Sequence, residues 1–502
     1  MTGGRSARAA LSSFPFRLGI ASGDPTPDGV VLWTRLAPSP LNADGYGGMP
    51  NRDVTVDWQV AKDEGFTQLV QSGSVVARYA SAHTVHVELA GLQSNAEYFY
   101  RFRAEGYISP VGRTRTAPAL GAATSALNVA FASCAHYESG YYTVYRRIAE
   151  ENPNLILHLG DYIYEDGPTS GTVRPHATSG EIYTLADYRA RYGQYKSDPD
   201  LQAAHAAAPW VVVWDDHEVE NNYAGLVPQE GQTQPRPFAD RRADAYRAYY
   251  EHMPLRASSA PSGGSMQLFR RLRWGNLATF HMLDTRQFRS DQACGDGSKT
   301  CSDASLPSRS ITGGTQEAWL LDGLAQHYAT WDVIGQQVFF AQFINSSGTS
   351  NMDAWDGYTA SRSRVQQGWV DRAVPNPVVL TGDVHSAWAN DLKLDYASST
   401  SPVIGSELVT SSVSSGGDGS ATLAVATGMS DDEAALYRAY AASTNPHVKF
   451  HNSLRGYIRA SIDQTAMRVD YRAVDKITVR DYPAYTLASF AIEAGRPGLQ
   501  TA

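Results

Sequence analysis

Four apolar runs in this 502-residue chain end in side chains that bind metals. Cys134 closes "NVAFAS", Asp161 follows "NLILHLG", "DDHE" (215–218) follows "WVVVW", and "GDVH" (382–385) follows "NPVVLT". In open α/β sheets a ligand sits beyond the carboxyl ends of the strands, so these runs are expected to bring thiol, carboxylates, phenol and imidazoles to one rim. Sulfur, oxygen and nitrogen donors converging in this way describe a metal site. "GD-x-x-Y" puts Asp161 and Tyr164 on one turn past the strand, where a carboxylate can bridge two ions while a phenolate binds one of them. Phenolate and thiolate together favour a strongly Lewis-acidic ion, and ferric iron is the first expectation. "GD-V-H" puts Asp383 and His385 on the same side of an extended segment, one for each ion of a two-metal centre. Taken singly, each residue has a plainer reading. Cys134 would be a small buried hydrophobe, Tyr164 a packing residue, Asp161 a turn or cap, and His217 a satisfied core histidine. Four separate strands ending in ligand chemistry by accident is the poorer account.

The elements that must carry these residues are readable from the pattern. After about residue 125, apolar strands alternate with helical or long loop segments, the grammar of a layered α/β core. The strands are "NVAFASC", "NLILHLGD", "WVVVWDDHE", "LATFHMLDTR", "WDVIGQQVFFA", "NPVVLTGDVH" and "ELVTSS". Helices are expected at "TLADYRARYGQYK" and "FADRRADAYRAYYEHM", and a late hairpin at "LRGYIRASIDQTAMRVDYRAV". Before residue 125 the chain reads as all-β, with short Val-, Trp- and Tyr-rich runs at 29–36, 54–63, 74–79 and 83–89. The Tyr ahead of the alternating strand in 91–106 suggests the tyrosine corner of immunoglobulin- or fibronectin-like sandwiches. Two domains are expected, 1–125 and 126–502. Long loops at 222–238, 256–265, 290–315 and 346–363 are placed to build a rim.

Composition narrows the class. With 42% hydrophobic and 19% charged residues the chain suits a globular protein of more than one domain. A net charge of −9 without Lys/Arg blocks argues against nucleic acid or an anionic membrane as main partner. No run reaches the roughly 18–20 apolar residues of a membrane span. The opening "MTGGRSARAALSSFPF" has no apolar signal core and reads as a mature start. Cys294 and Cys301 bracket the polar "GDGSKT", a loop a disulfide would close, while Cys134 stands alone; that usage suits an exported protein, secreted or periplasmic.

The stretches "GIASGDPTPDGVVLWTRL", "FASCAHYESGYYTVY", "HLGDYIYEDG", "WDDHEVENNYAG", "LDTRQFR", "TGDVHSAW" and "FHNSLRGYI" together resemble the alkaline phosphatase D, or PhoD-like, family of metallophosphoesterases, and they cover most of the chain in order. The resemblance implies an immunoglobulin-like sandwich followed by a four-layer αββα metallophosphoesterase domain. It implies Fe3+ with one or two Ca2+, other divalent metals remaining open, and export through the twin-arginine route. Carried over by motif, Cys134 stands where the wider superfamily has its first Asp ligand. Asp161 matches the bridging carboxylate and Tyr164 the phenolate on iron. Asp383 and His385 take the places of the two histidines of G-H-x-H. In "WDDHEVENNY" Asp216 replaces a metal-binding Asn, and His217 is the histidine near the leaving group. A further Asn ligand falls on Asn222, or on Asn221. Asp in place of His at 383 fits a harder, oxygen-preferring ion such as calcium.

The implied reaction is hydrolysis of a phosphate ester by a metal-bound hydroxide. His217 is the expected acid toward the leaving alkoxide and Arg455 the expected rim cation. His136 and Asp284 are expected beside the ligands, orienting them. Two other readings stay open. Some actinobacterial phospholipases D are PhoD-like throughout, and such an enzyme would place apolar or aromatic residues around its mouth, with Tyr141, Tyr142, Trp355 and Tyr358 as candidates and transient contact with a membrane surface. A calcium-stabilised binding module without catalysis is the other, although Cys134 and Tyr164 are not calcium ligands.

Overall fold

The computed structural model describes residues 11, 13–416 and 443–501. Most of the opening stretch read as a mature start lies outside them.

Three of the apolar runs become parallel neighbours. Leu155–Leu159 lies between Leu127–Ala132 and Trp210–Val213. Every residue of Leu155–Leu159 is buried, as a parallel strand covered on both faces requires. They sit in a ten-stranded sheet that also takes in the late hairpin, Arg455–Ile462 with Ala466–Val474. A seven-stranded sheet faces it, with Ala278–Met282, Trp331–Gly335, Pro377–Thr381 and Val403–Val409 running parallel. Leu157 and Val211 of the first sheet share one apolar core with Phe280, Val333 and Val378 of the second.

Helices cover the outer faces and complete an αββα stack. On the first sheet lie α1 (Thr143–Glu150), α2 (Leu185–Lys196), α3 (Pro199–Ala207) and α4 (Phe238–His252). On the second lie α5 (Gly313–Leu324) and α6 (Thr359–Asp371). The helix starts follow from local chemistry. Thr184 and Asp187 close a capping box on α2. Asp198 caps α3 with Pro199 at its first position.

The N-terminal part is a sandwich. Val30, Leu32, Val85 and Val87 pack against Val56, Val60, Tyr100 and Phe102 of a second, antiparallel sheet. Tyr98 Oη accepts from the Gln93 N–H at 2.9 Å, forming the expected tyrosine corner. No strand interrupts the chain between Arg115 and Leu127, where the two parts were expected to meet. The strand Ile20–Thr26 was not expected, because "IASGDPT" lacks apolar alternation. It pairs antiparallel with Gly29–Arg35 and parallel with Trp210–Val213, through Gly23 opposite Trp210. The sandwich and the α/β core therefore share one sheet.

Candidate metal centre

The four runs end at one place, and their ends are conformationally unusual. Cys134, Asp161, Asn222, Asp383 and His385 all adopt left-handed backbone, with φ between 53° and 62°. Non-glycine residues pay for that conformation, and it concentrates at functional sites. Gly160, at φ +106°, precedes Asp161 because a Cβ there would stand 2.4 Å from Asp215 Cβ. Glu218 fixes the turns, its carboxylate accepting from the N–H groups of Asp161, Tyr162 and Asp215 at 3.1, 2.5 and 2.8 Å.

Two donor groups share Asp161. Ligating atoms of Cys134, Asp161 and His385 lie within 4.8 Å of one another, as do those of Asp161, Asp216 and His217. Tyr164 joins the first group. Its hydroxyl is 3.0 Å from both Asp161 Oδ2 and His385 Nε2, and it accepts from Ser415 Oγ at 2.7 Å. Asp216 Oδ2 accepts from the Asn222 N–H at 2.7 Å. Asp383 is half-buried and feels the charges of Asp215 and Asp216. Asp284, fully buried, accepts from the Arg286 and Gln287 N–H groups, and the His136 ring packs edge-on against Tyr164 at 4.7 Å.

The electrostatics are those of an acid cluster that calls for cations. Burial, partly relieved by His217 and then worsened by Asp216, pushes the Asp161 carboxyl up to about 7. Burial and the neighbouring acids raise Asp383 well above the usual carboxylate range. Burial and Asp161 do the same to the Cys134 thiol and the Tyr164 phenol. Asp161 Oδ1, Asp215 Oδ2 and Asp216 Oδ1 are buried without a hydrogen-bond partner. Buried carboxylate oxygens are rarely left so, and a metal would satisfy them. Thiol, phenol, imidazole and carboxylates converging in this way are the donors of a metal centre.

His217 sits in a different setting. Its Nδ1 is 2.7 Å from Glu165 Oε2, and its ring lies 4.1 Å from that of Tyr164. Burial opposes its charge, but Glu165, Asp216 and Asp161 outweigh it and hold the imidazolium well above the ordinary histidine range. His385 goes the other way, lowered to about 4 by burial, His217 and Arg455.

Some expectations are redrawn. Arg455 is not at a rim: it is 9% exposed and its guanidinium donates to the carbonyls of His385, Ser415 and Ser453, bracing the segments that hold His385 and Ser415. Tyr142, Trp355 and Tyr358 do not surround a mouth. All three are fully buried, with their polar atoms on Ala135 O, Gln336 Oε1 and Ser290 O. Aromatic rings of that size gain more from core burial than from exposure. Only Tyr141 of the four stays partly exposed. Cys294 and Cys301 form the expected disulfide, and Cys134 is free and buried. Sequence reasoning did not single out Glu165, Glu218, Arg286, Asp353 or Ser415. Glu165, Glu218 and Arg286 lay inside quoted motifs, whereas Asp353 and Ser415 carried no signal.

A layered αββα core with metal-binding side chains clustered at its strand ends is the arrangement of a metallophosphoesterase. A model of the PhoD-like phosphatase matches residues 129–471, and one of the PhoD-like phosphatase N-terminal domain matches residues 3–118. Alkaline phosphatase D of Bacillus subtilis (strain 168) is 49% identical over 499 residues, 98% of this chain and 83% of that protein. A solved structure described as "Structure of PhoD" superposes with a TM-score of 0.91 at 47% identity, covering 98% of this chain and 93% of the other. The chain belongs to the PhoD-like phosphatase family, and it is a metal-dependent phosphoesterase.

Proposed function

We propose that this enzyme hydrolyses phosphate esters at an iron–calcium centre. Cys134, Tyr164 and His385 would hold the ferric ion, Asp161 would bridge, and Asp216, Asn222 and Asp383 would hold calcium. The observation that carries this reading is the meeting at Asp161 of two donor clusters, one with Cys134 and His385 and one with Asp216, beside buried carboxylate oxygens that lack partners; His217 of the second cluster is taken by Glu165. When bound, such ions polarise phosphoryl oxygens and make water nucleophilic near neutral pH. The protein's own contribution is proton delivery and positioning. Glu165 holds His217 by Nδ1 and keeps it charged, which leaves Nε2 to give a proton to the departing alkoxide. Arg455 and Ser415 support the loop ends that aim His385 and Tyr164.

The substrate is a phosphate ester. With Tyr142, Trp355 and Tyr358 in the core, no described residue of the expected aromatic rim except Tyr141 favours a phospholipid. A catalytically inert calcium-binding module fits neither the family nor the buried thiol and phenol. Export is supported by the Cys294–Cys301 disulfide, and no helix among the described residues is long and apolar enough to cross a membrane. Elemental analysis of native protein beside assays of a phosphodiester, a phosphomonoester and a lysophospholipid tests the reading. Iron plus calcium with phosphodiester turnover is the expected result. A metal-free, active preparation would overturn it, and choline release from the lysophospholipid as the fastest reaction would reassign the substrate.

A further inference from the structure

Asp353 lies in the long loop between the strand Trp331–Gly335 and α6, outside every metal-binding motif, yet it reaches the candidate second-ion ligands by two routes. The first runs through Arg286, which is fully buried. Arg286 Nε donates to Asp215 Oδ1 at 2.5 Å, and its Nη1 and Nη2 grip the two oxygens of Asp353 at 2.8 Å each. Asp216 Oδ2 stands 3.6 Å from the same Nη2, outside hydrogen-bonding range. The second route runs through Gln292. Its Nε2 donates to Asp353 Oδ1 at 2.7 Å and to the Asn222 carbonyl at 2.8 Å, and the Asn222 N–H in turn donates to Asp216 Oδ2. Arg289 completes the clamp on Asp353 through Nη1 and Nη2.

The geometry poses a competition. Asp216 keeps Oδ1 buried without a partner, while the Arg286 guanidinium stands 3.6 Å from its other oxygen, Oδ2, a long ion pair that stops short of a hydrogen bond. A carboxylate engaged by that guanidinium would lose its value to a divalent cation. The bidentate hold of Asp353 draws the fork of Arg286 the other way. Asp353 is itself fixed by its loop: the Met352 N–H donates to Gly297 O within the Cys294–Cys301 loop, and Met352 packs with Ala293, Ala304 and Cys301.

We propose that Asp353 is a positioning residue for the second cation, holding Arg286 off Asp216 and, through Gln292, setting Asn222. The proposal rests on the reading of Asp216 as a ligand. Outer partners of metal ligands are typically worth about 10- to 100-fold in metal affinity.

The test is calorimetric titration with Ca2+ of iron-loaded protein from which calcium has been removed by chelation. Asp353→Asn is expected to bind Ca2+ about 10- to 100-fold more weakly, with the visible band of the iron site unchanged. The double variant Asp353→Asn/Arg286→Met removes the competing guanidinium and is expected to recover at least about tenfold of that loss. Parent-like Ca2+ affinity in Asp353→Asn overturns the proposal and reduces Asp353 to a partner that neutralises two arginines. If Asp353→Asn does not fold, Asp353→Glu, which shifts the carboxylate that grips Arg286, takes its place: weaker Ca2+ binding that is partly restored by adding Arg286→Met supports the proposal, and parent-like affinity in Asp353→Glu overturns it. Asp216→Asn separates the two failures. If it binds Ca2+ like the parent, the ligand reading is wrong; if it loses Ca2+ while Asp353→Asn does not, only the positioning role is.

Discussion

Replacing Glu165 by Gln tests the proton-delivery arm without touching a proposed ligand. The side chain keeps its size, and its amide oxygen can still meet His217 Nδ1 at the 2.7 Å now occupied by the carboxylate. What is lost is the charge that favours imidazolium. Hydrogen bonds to charged partners are worth about 1.5–3 kcal/mol, and each 1.4 kcal/mol is tenfold in an equilibrium. The variant should thus hold about 10- to 100-fold less charged His217 above the variant's own titration range. The sign follows from the raised value of His217. The charged form is complete in acid and disappears as pH rises, so the variant should lose it at a lower pH than the parent. Turnover of an alkyl phosphodiester should fall by about 10- to 100-fold at alkaline pH, inside the range of about 10²–10⁴ for general acid catalysis, and the deficit should close toward acid. Nitrophenolate departs with little protonation, so a nitrophenyl ester should be nearly unaffected. The assay is a pH–rate profile for both esters with metal content checked in parallel. Equal losses on both esters at every pH, with metals retained, would refute the acid role.

Tyr164→Phe should bleach the visible tyrosinate-to-iron band of concentrated protein, and a surviving band would remove Tyr164 from the iron. Metal removal should expose one thiol, Cys134, to a labelling reagent without reduction, while peptide mapping finds Cys294 linked to Cys301; a map that joins Cys134 to either of the others would contradict the fold at that site. Lys196 is buried, with Nζ 3.4 Å from His205 Nε2 and no carboxylate partner among the described residues. Burial depresses it well below its ordinary value, so the folded chain binds fewer protons there than the unfolded one. The fold is therefore penalised below the ordinary lysine pKa, and the penalty shrinks as pH rises toward it. Lys196→Met should raise the denaturation midpoint at neutral pH, with the gain narrowing by up to about 1.4 kcal/mol per pH unit between pH 7 and 9; a pH-independent gain would show that Lys196 is charged in the fold.

What the sequence disclosed and what it withheld have physical reasons. Continuous apolar runs with ligand residues at their ends, such as "NLILHLGD", showed both a buried parallel strand and its cargo, because both faces of that strand must be apolar and the chemistry can only sit at the tip. Helices with capping chemistry, such as α2 behind Thr184, were equally readable. Ile20–Thr26 was not, since its strand character comes from neighbours on both sides rather than from its own composition. Arg455 looked like a free cation beside a motif, yet three backbone carbonyls claim it, and carbonyl acceptors leave no mark in a sequence. Asp353 was invisible for the same kind of reason, because its partners Arg286, Arg289 and Gln292 lie more than sixty positions away.

The pairing of Gly23 with Trp210 changes what the N-terminal sandwich is for. Trp210–Val213 delivers Asp215 and Asp216, and without Ile20–Thr26 its outer side would be a bare row of backbone donors and acceptors. Such an edge recruits other strands and aggregates. Further ties cross the same seam: the indole N–H of Trp33 and the hydroxyl of Thr84 both donate to Glu251 O, and Arg35 meets His252. The sandwich therefore works as a lid on the last strand of the catalytic sheet, not as a cassette. Shortening the enzyme to residues 126–502 would uncover that strand, and a chimera carrying a foreign sandwich would have to supply an edge of matching register before it could supply anything else.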